Sequence, residues 1–194
     1  MTSTIDLLVA RGAETIEHPG GTLLAHLRRV SALLAEWGAR PALREAGLCH
    51  AFYGTDGFPV ALLELTERDV LAKAAGPEAE ALVYFYAACD RGFTYPALAE
   101  DGAVYRDRFT GERHAPSLQR RRDLAELTAA NELDIARVSP EFRHRHGAGL
   151  LALFTRFRPL LGDAAWAACE AVLAPGASAG DVGEEAVPVG EEPL

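Results

Sequence analysis

The chain predicts an all-α domain, and three observations carry that expectation. Apolar residues make up 49% of the 194 positions but aromatics only 8%, with Ala and Leu dominating. That mix favours helix packed on helix over sheet on sheet. Apolar residues recur at three- and four-residue steps over long windows, the spacing of one helix face. Clusters of Gly and Pro cut those windows into lengths ordinary for helices. The expectation is one domain over residues 1–174, with six to eight helices and room for one small β-hairpin.

Residues 4–12 form a short first helix, and His18-Pro19-Gly20-Gly21 breaks periodicity as a loop over 13–21. The strongest helix is 22–37, whose stripe is Leu23, Leu24, Leu27, Val30, Leu33, Leu34 and Trp37. His26 lies on that stripe, one turn from Leu23 and from Val30, while Arg28, Arg29 and Glu36 lie off it. Helix 41–52 opens on Pro41, suited to a first helical position. Its run Ala46-Gly47-Leu48-Cys49-His50-Ala51-Phe52 is almost uniformly apolar, which places it centrally. The turn-rich loop Tyr53 to Pro59 follows.

Thr66 with Asp69 suggests a capping box for a helix that stops at Gly76-Pro77. Helix 77–90 carries Leu82, Val83, Phe85 and Tyr86. Residues 93–116 are the least regular, with Val104 to His114 around Thr110-Gly111 fitting a hairpin. Ser117 caps a helix over 117–137, and a last helical region spans 147–173, interrupted near Pro159 and Gly162. Residues 175–194 hold five acidic residues among Gly, Pro, Val and Ala, with no Lys or Arg. They are expected to form a flexible acidic tail.

The net charge of -9 argues against nucleic-acid binding, because phosphate attraction needs a basic surface. No apolar run is long enough for a membrane span, and the first twenty residues lack a signal-peptide pattern. Cys49, Cys89 and Cys169 are too few and too widely spaced for a disulfide framework or a zinc ribbon. They read as buried free thiols, which fits a cytoplasmic protein. Leu160, Leu161, Trp166 and Val172 read as core or as the face of a homodimer.

Two histidines on two buried helices are the first pointer to chemistry. A neutral imidazole is a metal ligand and a general base, and it needs a partner when buried. The competing reading for each is a core histidine bonded to backbone. His26-Leu27-Arg28-Arg29-Val30 resembles the first-histidine helix of HD-domain metal phosphohydrolases. Ala46 to Thr55 resembles the helix and loop that carry the His-Asp doublet of that superfamily. Leu127-Thr128-Ala129-Ala130-Asn131-Glu132-Leu133-Asp134 resembles the late aspartate helix of the hydrolase domain in Rel/SpoT-type alarmone enzymes, whose order of elements is the nearest. The resemblance covers residues 20–137 and implies a divalent metal (Mn, Fe or Zn) held by His26, His50 and the residue at position 131.

The departures lie at the doublet and around it. Ala51 stands where the aspartate of the doublet belongs, Gly54 and Thr55 where the acidic pair belongs, and Asn131 where the late metal aspartate belongs. Asp56 is then the loop carboxylate that could complete a metal set of His26, His50 and Asn131. Asp134, one turn from Asn131, is the carboxylate that could act with His50 and Tyr53 in catalysis. Glu132, about 100° round the helix from Asn131, is read as pointing away.

The function expected is action on, or binding of, a small anionic molecule bearing phosphate or carboxylate. The activity would be metal-dependent hydrolysis. The alternatives are a non-catalytic binding or regulatory protein on the same scaffold and an HD-type iron-dependent oxygenase. Arg106, Arg108 and Arg113 belong to an arginine-rich stretch suited to bidentate anion recognition, although Asp107, Glu112 and Asp123 can pair with that stretch. Asp90-Arg91 reads as a local ion pair. His144 and His146, two apart and so on different faces, read as a surface loop.

Overall fold

The computed structural model describes residues 3–174, and it is all-α with two small hairpins. The expected tail, 175–194, lies outside the described residues. In chain order the helices are α1 (Thr4–Ala10), α2 (Leu23–Glu36), α3 (Pro41–Cys49), α4 (Arg68–Ala75), α5 (Pro77–Ala87), α6 (Arg91–Thr94), α7 (Leu118–Val138), α8 (Pro140–Phe157) and α9 (Asp163–Leu173). Single 3-10 turns precede α4, at Leu65–Glu67, and follow α6, at Tyr95–Ala97. Among the described residues no helix is long and apolar enough to cross a membrane.

The caps show why the helices start where they do. Ser3 and Asp6 form a reciprocal capping box at α1, and the hydroxyls of Thr22, Ser117 and Ser139 each accept an amide of the next turn. Pro41, Pro77 and Pro140 occupy first helical positions, where the missing N–H costs nothing. The pairing expected between Thr66 and Asp69 does not form. Glu64 and Glu67 make the capping box instead, around the 3-10 turn, and α4 begins at Arg68. The final helical region is interrupted at Pro159 and Gly162 as expected, which makes it two helices, but Ser139-Pro140 starts α8 seven residues before the expected boundary of 147. His144 and His146 therefore stand on α8, exposed, rather than in a loop.

Helix α7 is the axis of the molecule. It packs against α2, α3 and α5 on one side and against α8 and α9 on the other, with α4 lying on α5 and α1 on α4. Leu27, Val30, Leu34, Ala46, Val83, Leu127, Ala130 and Leu133 are at most 1% exposed, so these helices share one core. The crossing of α2 and α3 needs Gly47, where a Cβ would stand 2.6 Å from a methyl of Leu34. The three cysteines are free and buried as expected, and burial pushes the Cys89 and Cys169 thiols up to about 12.

The anticipated hairpin forms between β3 (Tyr105–Arg106) and β4 (Arg113–His114), antiparallel, with Arg106 opposite Arg113. A second hairpin stands where the sequence predicts only a loop over 13–21. β1 (Glu17–His18) pairs with β2 (Gly21–Thr22), with Glu17 opposite Thr22. Strands of two residues leave no alternation to detect, which is why the pattern hid it. This hairpin turns the chain back over the N-terminal end of α2.

Candidate functional site: a histidine cleft between α2, α3 and α7

Thr22 fixes the start of α2 and so brings His26 inward between Leu23 and Val30, where it is 1% exposed. The inward side of α7 meets it. His26 Nδ1 lies 2.7 Å from Asp134 Oδ2, and His26 Nε2 lies 3.1 Å from Asn131 Oδ1. Both ring nitrogens are therefore engaged with side-chain oxygens of α7. Arg29 grips the same carboxylate from the other side, Nε donating to Oδ1 at 2.7 Å and Nη2 to Oδ2 at 2.9 Å. Its remaining donors reach the Gly20 and Pro19 carbonyls at 3.3 and 3.2 Å. Burial opposes ionisation of Asp134, but hydrogen bonds from His26 and Arg29 outweigh it and hold the carboxyl below its usual range.

His50 is the C-cap of α3. Its Nδ1 donates to the Gly47 carbonyl at 2.8 Å, so the neutral ring keeps its lone pair on Nε2. Burial, then the charge of His26, pushes His50 down to about 3. The His26 and His50 rings meet edge to face with centroids 5.2 Å apart, and Tyr86 meets His50 in the same way at 5.5 Å. On the opposite side His18, carried by β1, stacks on His26 at 4.0 Å and 24°. Burial and His26 lower His18 to about 4. Phe58 closes over His18, edge on, at 5.7 Å.

These groups wall a cleft of about 350 Å³. Its polar lining is His18, His26, His50, Arg91, Asn131 and Glu132, with Thr55 beside them and Glu17 exposed at the strand. The apolar lining includes Leu23, Phe58, Ile135 and Phe142. The Asn131 amide donates to Glu132 at 3.1 Å, Arg91 Nη1 lies 3.6 Å from the same carboxylate oxygen, and Arg91 Nη2 donates to the Tyr86 hydroxyl at 3.1 Å. Burial raises Glu132, with Arg91 and Asn131 acting against it. His18 Nδ1 and Arg91 Nε are buried with no hydrogen-bond partner among the described residues. A larger groove between α8 and α9, about 640 Å³, is lined by Arg143 and His144 with mainly small and apolar residues. It gathers less chemistry than the cleft does.

His26, His50 and Asn131 thus meet at one interior site. Asp134 stands behind His26 and orients it rather than lining the cleft. Tyr53 lies elsewhere. Its hydroxyl donates to Glu80 at 3.1 Å, inside an ion pair that Arg68 makes with Glu80, so the turn after α3 carries it away from His50. Asp56 is exposed and accepts the Arg91 amide at 3.2 Å, which makes it a loop anchor. Arg106 pairs with Asp90, Arg108 Nε donates to the Ala87 carbonyl at 2.7 Å, and Arg113 lies over the Phe93 ring at 4.7 Å. All three tie β3 and β4 to their surroundings, and none lines the cleft. Asp90 and Arg91 do not pair with each other: Asp90 takes Arg106, and Arg91 turns inward to Glu132.

The donor set does not fit a Mn, Fe or Zn site in this arrangement. A metal needs a ring lone pair, and both nitrogens of His26 are engaged with oxygens. Among the described residues no group of three or more His, Cys, Asp or Glu side chains could hold an ion.

The sequence does not mark His18, Arg91 or Glu132 as site residues. His18 sits in a Pro-Gly stretch that looks like loop. Glu132 lies about 100° round the helix from Asn131, yet a cleft at the margin of α7 is wide enough to take both. Arg91 follows Asp90 so closely that a local pair was the simplest inference. Its one available signal was a charge at the end of an otherwise apolar helix.

Comparison with curated proteins and with solved structures gives no match. Over residues 7–91 the chain is similar to a family described as Domain of unknown function (DUF6817), a stretch that holds His18, His26, His50 and Arg91 but not α7.

Proposed function

We propose that this protein binds a small anionic molecule in the histidine cleft, on an HD-type helical scaffold adapted to binding. One observation carries the reading: Arg91 lines the cleft with its Nε buried and without a hydrogen-bond partner among the described residues. Its guanidinium has only the Tyr86 hydroxyl and a long contact to Glu132 as side-chain hydrogen-bond or ion-pair partners, at 3.1 and 3.6 Å. An anionic group in the cleft would give that guanidinium a charge-assisted partner. His50 Nε2 is the proton or hydrogen-bond acceptor offered to the ligand. Asn131 and Ala51, at positions where the HD resemblance expects metal carboxylates, favour a binding role over metal-dependent hydrolysis.

The test is thermal unfolding of the full chain in graded inorganic phosphate, sulfate, acetate and benzoate, with ionic strength held constant by chloride. At least one of these anions should raise Tm in a saturable way, because a ligand at 100 times its Kd stabilises by about 2.7 kcal/mol. The rise should disappear in Arg91→Gln. Equal, non-saturating responses to all four anions would sink the proposal.

A further inference from the structure

We infer that the ligand carries a neutral hydrogen-bond donor, an O–H or N–H, beside its anionic group, as a hydroxy acid does. The inference rests on the anion-binding reading above and names a second group that the ligand must have. Two imidazoles line the same cleft as Arg91 and hold nitrogens that only an occupant of the cleft can serve. His50 is 3% exposed, and its ring spends Nδ1 on the Gly47 carbonyl, which leaves Nε2. His18 Nδ1 is buried without a partner among the described residues. The His26 ring touches both, 4.0 Å from His18 and 5.2 Å from His50, but its own nitrogens are taken by α7.

The backbone fixes the polarity of His50. A carbonyl can only accept, so Nδ1 carries the ring proton, and Nε2 of the neutral ring can only accept. Its neighbours keep the ring neutral. His50 meets Tyr86 edge to face at 5.5 Å, and the Arg91 guanidinium lies over that same Tyr86 ring, 5.2 Å from its centre. Arg91 therefore stands close enough to oppose a charge on His50. An anionic group held by Arg91 brings the next part of the ligand against His50. The same guanidinium would repel an ammonium there, so the donor is neutral. The carboxylates of the cleft do not call for a cation either: Glu132 already has Arg91 and the Asn131 amide, and Glu17 is exposed.

Binding then discriminates by what it leaves unmade. A ligand with an anionic group alone satisfies Arg91 but covers the imidazole nitrogens and returns nothing to them. A buried acceptor stripped of its partner is costly, whereas a hydroxyl in the same place donates to His50 Nε2 and has lone pairs of its own to offer. A methyl ether of the same shape keeps the oxygen but has no proton to give. Sites built to hydrogen-bond a substrate hydroxyl reject the analogue without it far more strongly than apolar pockets reject a missing methylene.

Isothermal titration of the full chain with matched pairs of anions tests this. Mandelate is set against phenylacetate, and hydroxyethyl phosphate against ethyl phosphate, so that both kinds of anionic group are covered. The methyl ether of each hydroxylated member and the neutral mandelamide complete the set. In at least one pair the hydroxylated member should bind at least about tenfold more tightly than its partner and than its methyl ether, a difference of about 1.4 kcal/mol. In nitrogen NMR of histidine-labelled protein, the Nε2 resonance of His50 should move on adding that hydroxylated member and stay in place on adding its partner. If both pairs bind without regard to the hydroxyl, if the methyl ether matches the hydroxyl, or if the His50 resonance does not respond, the inference is overturned while the anion-binding reading stands. If mandelamide matches mandelate, or if no anion binds, the inference and that reading fall together.

Discussion

Asp134 is the residue on which the site depends most, although it does not face the cleft. It accepts from His26 and, twice, from Arg29, and its side chain is 6% exposed. Breaking a buried pair costs far more than forming it gains, because the partner charges stay behind uncompensated. Asp134→Ala is therefore expected to destabilise the protein by about 3–5 kcal/mol, read from the urea midpoint at constant slope. Arg29→Lys keeps the charge but loses the two-pronged grip on the carboxylate, so it should cost clearly less. Equal losses in the two variants would mean that the bidentate geometry, not the charge, does the stabilising. His26 should also lose its preferred orientation in Asp134→Ala, visible as a changed ring-nitrogen chemical shift in NMR.

At the scale of elements, two glycines set how closely the site's supports approach. Gly20 has φ +78, and a Cβ there would stand 2.8 Å from the Cβ of Val138 at the end of α7. That atom cannot swing aside, and the backbone conformation is itself strained for any other residue. Gly47 would meet only the end of Leu34, a side chain that is nonetheless fully buried. Gly47→Ala is expected to cost about 1–3 kcal/mol by overpacking and to be partly rescued by Leu34→Val in a double-mutant cycle. Gly20→Ala should cost more, find no rescue at position 34, and displace the turn that holds His18. The same elements show what the sequence made legible. The stripes of α2 and α7 announce which sides turn inward, and the motif order of the HD resemblance singles out His26 and Asn131 on those sides. The β1–β2 hairpin could not be read in that way, since its ladder is only two residues long on each side and its position depends on Val138, more than a hundred residues later. Arg91 and Glu132 are hidden for the same reason: each looks like a surface charge until the fold brings the start of α6 and the middle of α7 to one cleft. Tyr53, Asp56 and the hairpin arginines show the converse. They are near the site in sequence or suited to it in chemistry, but local turns and local ion pairs claim them first.

Across the whole molecule, the histidine cleft makes stability depend on pH in a definite direction. His50 and His18 are held to about 3 and about 4 in the folded protein, both first by burial and then by the charge on His26. An unfolded histidine titrates near pH ~6.5. The unfolded chain therefore binds protons that the folded one refuses, and stability falls as pH falls through that window. Arg91 opposes protonation of His50 and Arg29 opposes that of His18, while the Gly47 carbonyl favours the charged form of His50, and the Pro19 carbonyl and Asp134 favour that of His18. Asp134, depressed in the fold, contributes stability that is present above its unfolded value and is lost as pH drops through its folded one, so it extends the loss further into acid. Glu132 and Glu126 act in the opposite sense, because burial raises both, and their protonation returns some stability as pH falls through their raised folded values. The histidine contribution is isolated by comparing the wild type with a variant that lacks one ring. Between pH ~6.5 and ~5 the unfolding free energy should fall with a slope that approaches about 1.4 kcal/mol per pH unit for each buried neutral histidine. His18 is only half-buried, so the combined slope should lie between the values for one and for two such groups. His50→Gln keeps a side chain able to reach the Gly47 carbonyl and removes one titrating ring. It should lower the slope by about 1.4 kcal/mol per unit without altering the acid limb below the folded value of His50, about 3. Urea titrations at half-unit pH intervals give both slopes directly. The same slope in the wild type and in His50→Gln from pH 7 to pH 5 would show that the His50 ring is not held neutral, and would remove its Nε2 as the acceptor offered to the ligand.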